Sequence, residues 1–490
     1  MLVDVRPVDR LRGAKAVSVN TAIGAVLDAL AQSDIDLRSV RVVCDWIQYR
    51  SNFRPTIDLR QIVGDPDAGV PGAIEVAVDL RRAVALDPDV WKAMVRSAID
   101  RHLSGPCDDV LLEEWVPTSR SCVWDFNALY WRALEQWEKA TGRLYEQALP
   151  GGESDARNVD AVREMIGGVF RVWDGLAERD ALPDELFVVE LGVGNGHQAK
   201  VWLDELRAMD AERGSGYYRR LHYLMCDYSP HVLELARATV NDHAGRVSAV
   251  ALDARQPAVA LGFLKFKVFL VYVSNVYDNL PTDEVARIGG AAHLIESRAH
   301  IPGDAATALA EEFRIPRETL AGQIQRLVRL GPEMLAGLSA DVFESTEEIV
   351  QFWQRVWAEL RLAERYVPMR GLDLYEVAPG ISGEALRPML EAGDDIRLHV
   401  NNGAVASFVD TLRLLHPYGA LVSHDLFVTD VDSYRTAYRG PGKYEGSVVN
   451  WNNGPLLATI GRRKGFDVAY RPFSYRSGTN IVTMTAQARD

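Results

Sequence analysis

The chain has 490 residues, 48% of them hydrophobic and 25% charged, and a formal net charge of −14. That is the composition of a globular protein of about two to four domains, and its acidity disfavours sequence-independent binding to nucleic acid. No stretch approaches the roughly 18 uncharged apolar residues of a transmembrane helix, so no membrane span is expected.

The amino-terminal segment mixes Asp4 and Asp9 with Arg6, Arg10, Arg12 and Lys15 and has no apolar centre, fitting neither a secretory signal nor a mitochondrial presequence. Cys44, Cys107, Cys122 and Cys226 are scattered without paired spacing. Neither a metal site nor a disulfide scaffold is therefore expected, and reduced thiols point to a cytoplasmic protein. Residues 1–150 read as an amino-terminal α+β region, with strand-like runs at 40–47 and 73–78 and helical patterns at 90–103 and 127–147. The second helix carries Trp131, Leu134, Trp137 and Tyr145, with Trp124 and Phe126 just before it. This aromatic stripe reads as core packing, with a substrate-pocket wall as the alternative. Pro150-Gly151-Gly152 is a break, and a helical segment at 159–176 follows it.

The next run is Phe187-Val188-Val189-Glu190-Leu191-Gly192-Val193-Gly194-Asn195-Gly196. An apolar strand ends at the carboxylate Glu190, and three glycines follow at every second position. A helical pattern at 198–209 comes next. Glycines in such a turn let the backbone pass close to a ligand. A nicotinamide site would place its third glycine one residue later, with no acid ahead of the first; an acid in front is how S-adenosyl-L-methionine sites are usually written. A second strand, 221–227, ends at Asp227-Tyr228, which lies 31 residues past Gly196 (227 − 196 = 31). That gap exceeds the roughly 20 residues of a simple dinucleotide unit and implies a long first helix plus the Arg213-Gly214-Ser215-Gly216 loop. A third strand, 247–252, ends at Asp253-Ala254, and a fourth, 268–273, ends at Ser274-Asn275-Val276-Tyr277-Asp278-Asn279-Leu280-Pro281. Polar residues at the carboxyl edges of successive parallel strands are where open α/β sheets bind ligands. Taken singly, Asp227 and Asp253 read as helix caps; in series behind Glu190 they read as cofactor contacts.

These residues give the chain its resemblance to class I S-adenosylmethionine-dependent methyltransferases. Within them it is most similar to the MidA-like group, which includes the mitochondrial complex I assembly-factor arginine methyltransferase. The glycine turn, the long gap before Asp227 and the Tyr277-Asp278-Asn279-Leu280-Pro281 stretch (Phe-Asp-Ala-Leu-Pro in the group) carry the likeness. It covers residues 155–281 and 395–490. It implies a Rossmann-like α/β sheet with helices on both faces and an antiparallel terminal strand pair. It also implies S-adenosyl-L-methionine as cofactor, held by Glu190, Gly192, Gly194, Gly196, Asp227, Tyr228, Asp253 and Ala254. The chain departs from the group at Ser274-Asn275, where the group carries Asn-Glu. Without that acid an arginine acceptor lacks the carboxylate that orients a guanidinium. The group's Gly-Asp-Phe-x-Thr-Ser stretch matches only loosely with residues 151–158.

Residues 282–394 contain no convincing strand and read as a helical insertion, a lid over the acceptor pocket. Its clearest helix starts at Ser345, with Glu348 completing a capping box and Ile349, Phe352, Trp353, Val356 and Leu360 on one face. The alternative is a structural or dimerising bundle, which would make the chain a homodimer. The sheet is expected to resume at Ile396, with Asn402 capping a helix, strand 420–427 carrying His424-Asp425, a helix from Pro455 to Gly465, and a terminal pair at 466–470 and 480–485.

Methyl transfer asks the protein to align a nucleophile with an already activated methyl and to exclude water. Candidate catalytic residues are therefore Asn275, Tyr277 and Asp278 after the fourth strand and His424 and Asp425 in the fifth. A His-Asp pair suits deprotonation of a hydroxyl or carboxyl, although a single histidine at a strand end is more often structural. The expected acceptor is an O or N nucleophile of a protein, peptide or small molecule. A methyltransferase-like scaffold acting through protein partners and a nicotinamide oxidoreductase are the competing readings. The intact acid–glycine–acid series opposes the first, and the glycine spacing opposes the second.

Overall fold

Unbroken apolar runs suit strands covered on both faces, and the runs ending at Glu190, Asp227, Ala251 and Ser274 assemble as neighbours in the computed structural model. The structure describes residues 1–6, 14–49, 51–64, 72–104, 108–145, 158–339, 342–393, 395–436 and 440–489. The break at 150–152, the 151–157 part of the weakly matching stretch, and Cys107 lie outside them. The first sheet contains β1 (Leu186–Leu191), β2 (Leu221–Asp227), β3 (Val247–Ala251), β4 (Val268–Ser274), β5 (Leu415–Val428), β6 (Phe466–Pro472) and β7 (Ile481–Ala488). Their order is β3-β2-β1-β4-β5-β7-β6, and the two-residue strand Asn452–Asn453 pairs with the end of β5. Pairing is parallel from β3 through β5 and antiparallel where β7 joins β5 and β6. The order reverses between β1 and β4, and that switch point is where a doubly wound sheet opens a ligand crevice.

One face of this sheet packs on Val159–Ala177, which buries Ile166, Phe170 and Trp173, and on His197–Arg213. Asn158 Oδ1 caps the first of these helices by accepting from the amides of Asp160 and Ala161. The other face is covered by Asn402–Leu412 and Gly454–Arg463. The long interval before Asp227 is filled as its length demands: the helix His197–Arg213, left-handed glycines Gly214 and Gly216, and the short 3₁₀ turn Tyr217–Arg220.

The middle of the chain corrects the expectation of a purely helical insertion. Asp283–Ile288, Ala291–Ile301 and Arg361–Pro368 are strands, and they join amino-terminal strands in a second, ten-stranded sheet. Its main order is Leu2–Val5, Val40–Asp45, Ala73–Asp79, Ile57–Ile62, Arg361–Pro368, Ala291–Ile301, Asp283–Ile288, Ile396–Val400. Ile396–Val400 therefore closes the second sheet beside Asp283–Ile288 and does not resume the first. These strands escape an apolar pattern because charged residues such as Glu284, Glu364 and Arg397 are buried within them. Register sets Arg60 opposite Glu75 and Glu75 opposite Arg41, and opposite charges facing each other across strands are favourable. Arg54 Nε donates to Glu364 Oε1 at 2.6 Å, and Arg397 Nη2 donates to Glu364 Oε2 at 2.9 Å. The Tyr366 hydroxyl donates to Glu75 Oε1 at 2.6 Å.

Helices Gly303–Glu312, Arg317–Leu330, Pro332–Leu338 and Thr346–Glu359 form a layer with Val123–Arg132 and Leu134–Thr141. The single helix expected at 127–147 is broken at Ala133, whose φ of −112° leaves the helical range. The aromatic stripe divides accordingly: Trp137 packs edge-on against Trp353 at 4.7 Å, while Trp131 faces the cavity described below. Ser345 Oγ accepts from the Glu348 amide, but Glu348 Oε2 accepts from the Glu344 amide, so the box closes one residue early. Asn402 does not cap its helix. Its Oδ1 accepts from the Asp283 amide and its Nδ2 donates to the Tyr375 hydroxyl and the Val377 carbonyl, stitching the two sheets together. Among the described residues no helix is long and apolar enough to cross a membrane, and no cluster of side chains suits a metal ion.

Candidate active site

The carboxyl ends of β1, β2, β3 and β4 open into a cavity of about 1150 Å³. Glu190, Gly192, Gly194, Asp227, Tyr228, Asp253 and Ala254 all line it. Gly196 does not: a Cβ there would lie 2.7 Å from the backbone of Ala236, so this glycine serves close packing of the turn on the helix Pro230–Thr239. All three glycines have positive φ, 76°, 56° and 80° in order, which side chains oppose.

The acids on this wall differ in surroundings. Glu190 is buried and receives one bond, from the Tyr223 hydroxyl to Oε2 at 2.6 Å. Burial pushes its carboxyl up to about 8; the Tyr223 bond opposes the shift and Asp227 adds to it. Asp227 ties the turn together, with Oδ2 accepting from the Gly194 amide and Oδ1 from the Ser229 amide. Burial pushes it up, against those backbone bonds. Asp253 is gripped by Arg255 through Nε and Nη2, and these bonds outweigh burial and hold it below the ordinary carboxylate range.

Two further residues line this part of the cavity: Gln198, which no sequence pattern singles out, and Tyr145, a member of the aromatic stripe whose alternative reading is a pocket wall. Gln198, one residue into the helix that follows the glycines, is 7% exposed, and neither Nε2 nor Oε1 has a hydrogen-bond partner among the described residues. A buried amide without partners is costly unless a ligand supplies them. Tyr145, from the amino-terminal region, brings its hydroxyl to 2.7 Å from where a Gly194 Cβ would stand, and its ring meets Trp131 edge-on at 5.6 Å. The amino-terminal region thus closes over the glycine turn.

The turn after β4 supplies the adjoining wall, with Val276 packed on Gly192. Asn275, Asp278 and Asn279 line the cavity, and Asn275 has a left-handed φ of 51°; such strain concentrates at functional sites. Asp278 is buried; its Oδ1 accepts from Asn279 Nδ2 at 2.7 Å and its carbonyl accepts from the Asn450 amide. Burial pushes its carboxyl up to about 7, against the Asn279 bond. Tyr277, fully buried, is not a lining residue. His424 and Asp425 do not line the cavity either, and they do not pair with each other, because neighbours in a strand point to opposite faces. His424 Nδ1 meets the Tyr272 hydroxyl at 3.1 Å, and burial pushes its imidazole down to about 4. Asp425 accepts from the amides of Tyr277, Asp278 and Leu426, so it holds the β4 turn in shape. Among the described residues of 282–394, only Ile324, Gln325, Val328 and Arg329 of the Arg317–Leu330 helix reach the cavity.

No protein family matches the sequence, and no curated protein does. Among solved structures the chain is similar to a protein from Burkholderia thailandensis bound to S-adenosyl-homocysteine, at 14% identity, with 81% of this chain and 91% of that one covered and a TM-score of 0.45. It is also similar to the DszA carbon methyltransferase, at 11% identity over 97% of this chain and 90% of that one, with a TM-score of 0.32. The CcbJ methyltransferase from Streptomyces caelestis matches at 11% identity over 66% and 96%, with a TM-score of 0.26. Values this low leave the chemistry of the site to its own residues.

Proposed function

We propose that this protein is an S-adenosyl-L-methionine-dependent methyltransferase acting on an O or N nucleophile of a protein, peptide or small molecule. One observation carries the reading: Glu190, the glycine turn, Gln198, Asp227 and Asp253 share one wall of a single cavity whose other wall holds Asp278. The first wall suits the cofactor. Gly192 and Gly194 let the turn pack closely under Val276 and the Tyr145 hydroxyl, where a side chain would clash, and Gln198 has a donor and an acceptor to give to an amino-acid end. Among the described residues Glu190 has no cation beside it, and an ammonium group would supply one. Asp227 is placed for ribose hydroxyls at the end of β2. When bound, the cofactor supplies the activated methyl; the chain supplies binding, orientation and a base.

Asp278 is the carboxyl best placed for that base. With its pKa near 7 it is partly ionised at neutral pH, so it both takes and releases a proton there. The rate should accordingly rise with pH through about 7, since only the ionised form accepts a proton. His424 and Asp425 are better read as support for the Asp278 turn. The MidA-like likeness is supported by the long first crossover and the Tyr277–Pro281 stretch, but the acceptor there need not be arginine.

Calorimetry with S-adenosylhomocysteine, followed by a search for a gain of one CH₂ in candidate acceptors, tests the reading. Absence of heat at millimolar ligand would overturn it.

A further inference from the structure

The acceptor half of the cavity is walled by Tyr49, Trp124, Tyr130, Trp131, Tyr444 and Trp451. These rings are tied to Asp278 and Asn279 by specific bonds. Asn127 Nδ2, on the helix that carries Trp124, Tyr130 and Trp131, donates to the Asn279 carbonyl at 2.8 Å, and Asn127 Oδ1 accepts from the Val448 amide at 2.9 Å. Asn450, between Val449 and Trp451, donates its amide to the Asp278 carbonyl at 2.8 Å. An aromatic slot therefore stands beside one carboxyl group, and flat rings stack well in such slots.

The polar groups in that slot define what can enter it. Asp278 has one carboxyl oxygen engaged by Asn279, which leaves the other for a ligand. Asn279 Oδ1 is buried without a partner among the described residues. Both offer acceptor oxygens, while the buried hydroxyls of Ser274 and Tyr444, without partners among the described residues, can donate or accept, so a hydroxyl, which does both, fits this mixture. A guanidinium is matched by a carboxylate that offers both oxygens, and Asp278 offers one. The other carboxylates of the cavity have other roles: Glu190 and Asp227 stand on the cofactor wall, Asp253 is held by Arg255, and Asp125 is exposed. An ammonium would be drawn to the rings and to Asp278, but Arg120, Arg132, Arg255 and Arg329 line the same cavity and repel a cation.

We propose that the methyl acceptor is a phenolic hydroxyl on a planar ring system, held between this aromatic wall and Asp278. The inference rests on the methyl-transfer reading above. In the step, the phenolic oxygen forms the new O–CH₃ bond as the S–CH₃ bond of the cofactor breaks. The sulfur keeps that electron pair, and the phenolic proton passes to the Asp278 carboxylate and then to solvent. A phenol loses its proton near pH 10, about three units above Asp278, a gap that proton transfer in a transition state spans.

The test titrates the full-length protein, saturated with S-adenosylhomocysteine, with 2-naphthol, 2-(aminomethyl)naphthalene and N-acetyl-arginine amide by calorimetry. The same three probes are then incubated with S-adenosylmethionine and weighed by mass spectrometry. Naphthol should bind at least tenfold more tightly than either cationic probe and be the one that gains a methyl. Asp278→Asn should keep naphthol affinity within about threefold while methylation falls at least a hundredfold. Equal or tighter binding of a cationic probe, or its methylation in preference to naphthol, overturns the inference and leaves the cofactor reading standing. No heat with S-adenosylhomocysteine itself overturns that reading instead.

Discussion

Glu190 at the end of β1 and Glu364 in the strand Arg361–Pro368 are both buried carboxyl groups, one in each sheet. Glu364 lies among Arg54, Arg60 and Arg397, and although burial acts to raise its pKa, these three cations hold it far below the carboxylate range. Glu190 has a tyrosine hydroxyl and, among the described residues, no cation, and burial pushes it up to about 8. Buried charges persist when they are paired and neutralise when they are not. The second sheet has closed its own electrostatics, whereas the first keeps a place for a charge it does not own. The pH dependence of stability follows with opposite signs. Glu364, depressed in the fold, contributes stability that is present above the ordinary carboxyl range and lost as pH falls through its folded value. Glu190, raised in the fold, contributes stability that is present at low pH and lost as pH rises through about 8.

Breaking the closed side should have the largest effect. Glu364→Ala leaves three buried arginines short of a partner and should cost about 3–5 kcal/mol in urea unfolding. A loss below about 1 kcal/mol would mean that the arginines find water or other acids, and the contrast between the sheets would fail. On the open side, Asp227→Ala should weaken S-adenosylhomocysteine binding at least tenfold, because bonds to a charged acceptor contribute about 1.5–3 kcal/mol each. Asp227→Asn, which keeps one acceptor oxygen, should weaken it less. If both variants bind like the wild type, another residue holds the ribose.

A smaller effect sharpens the role of the amino-terminal region. Gly194→Ala forces a side chain into a left-handed φ, at about 1–2 kcal/mol, and drives its Cβ against the Tyr145 hydroxyl. Tyr145→Phe removes that oxygen, so the double variant should recover part of the cofactor affinity that Gly194→Ala loses. Strict additivity in the four-way comparison would show that Tyr145 does not press on the turn.

How far these features are visible in the sequence depends on what the strands bury. The runs ending at Glu190, Asp227 and Ser274 are apolar apart from the exposed His222 because their faces are otherwise covered, so strand, turn and acid stand out together. The strands Asp283–Ile288 and Arg361–Pro368 look like surface helix because Glu284, Glu364 and Arg365 interrupt them. Their partners, Arg54 and Arg397, lie 310 and 33 residues from Glu364, beyond the reach of any local pattern. For the same reason 282–394 cannot be exchanged for a linker, since three strands of the second sheet would go with it. In the site, Gly192, Gly194 and Asp227 are legible from spacing. Gln198 is not, because its significance lies in a missing partner; Tyr145 is legible as one of an aromatic stripe, but its contact with the glycine turn lies across the fold.

The most direct measurement pairs calorimetry with stability for Glu190→Gln. Glutamine keeps the shape of the protonated side chain, so unfolding free energy at pH 7 should stay within about 1 kcal/mol of the wild type. Binding of S-adenosylmethionine, which the wild type should show, should fall at least tenfold as the site loses its charge for the ligand's ammonium. Unchanged affinity, or a stability loss as large as that of Glu364→Ala, would place Glu190 in the fold and contradict its assignment to the cofactor.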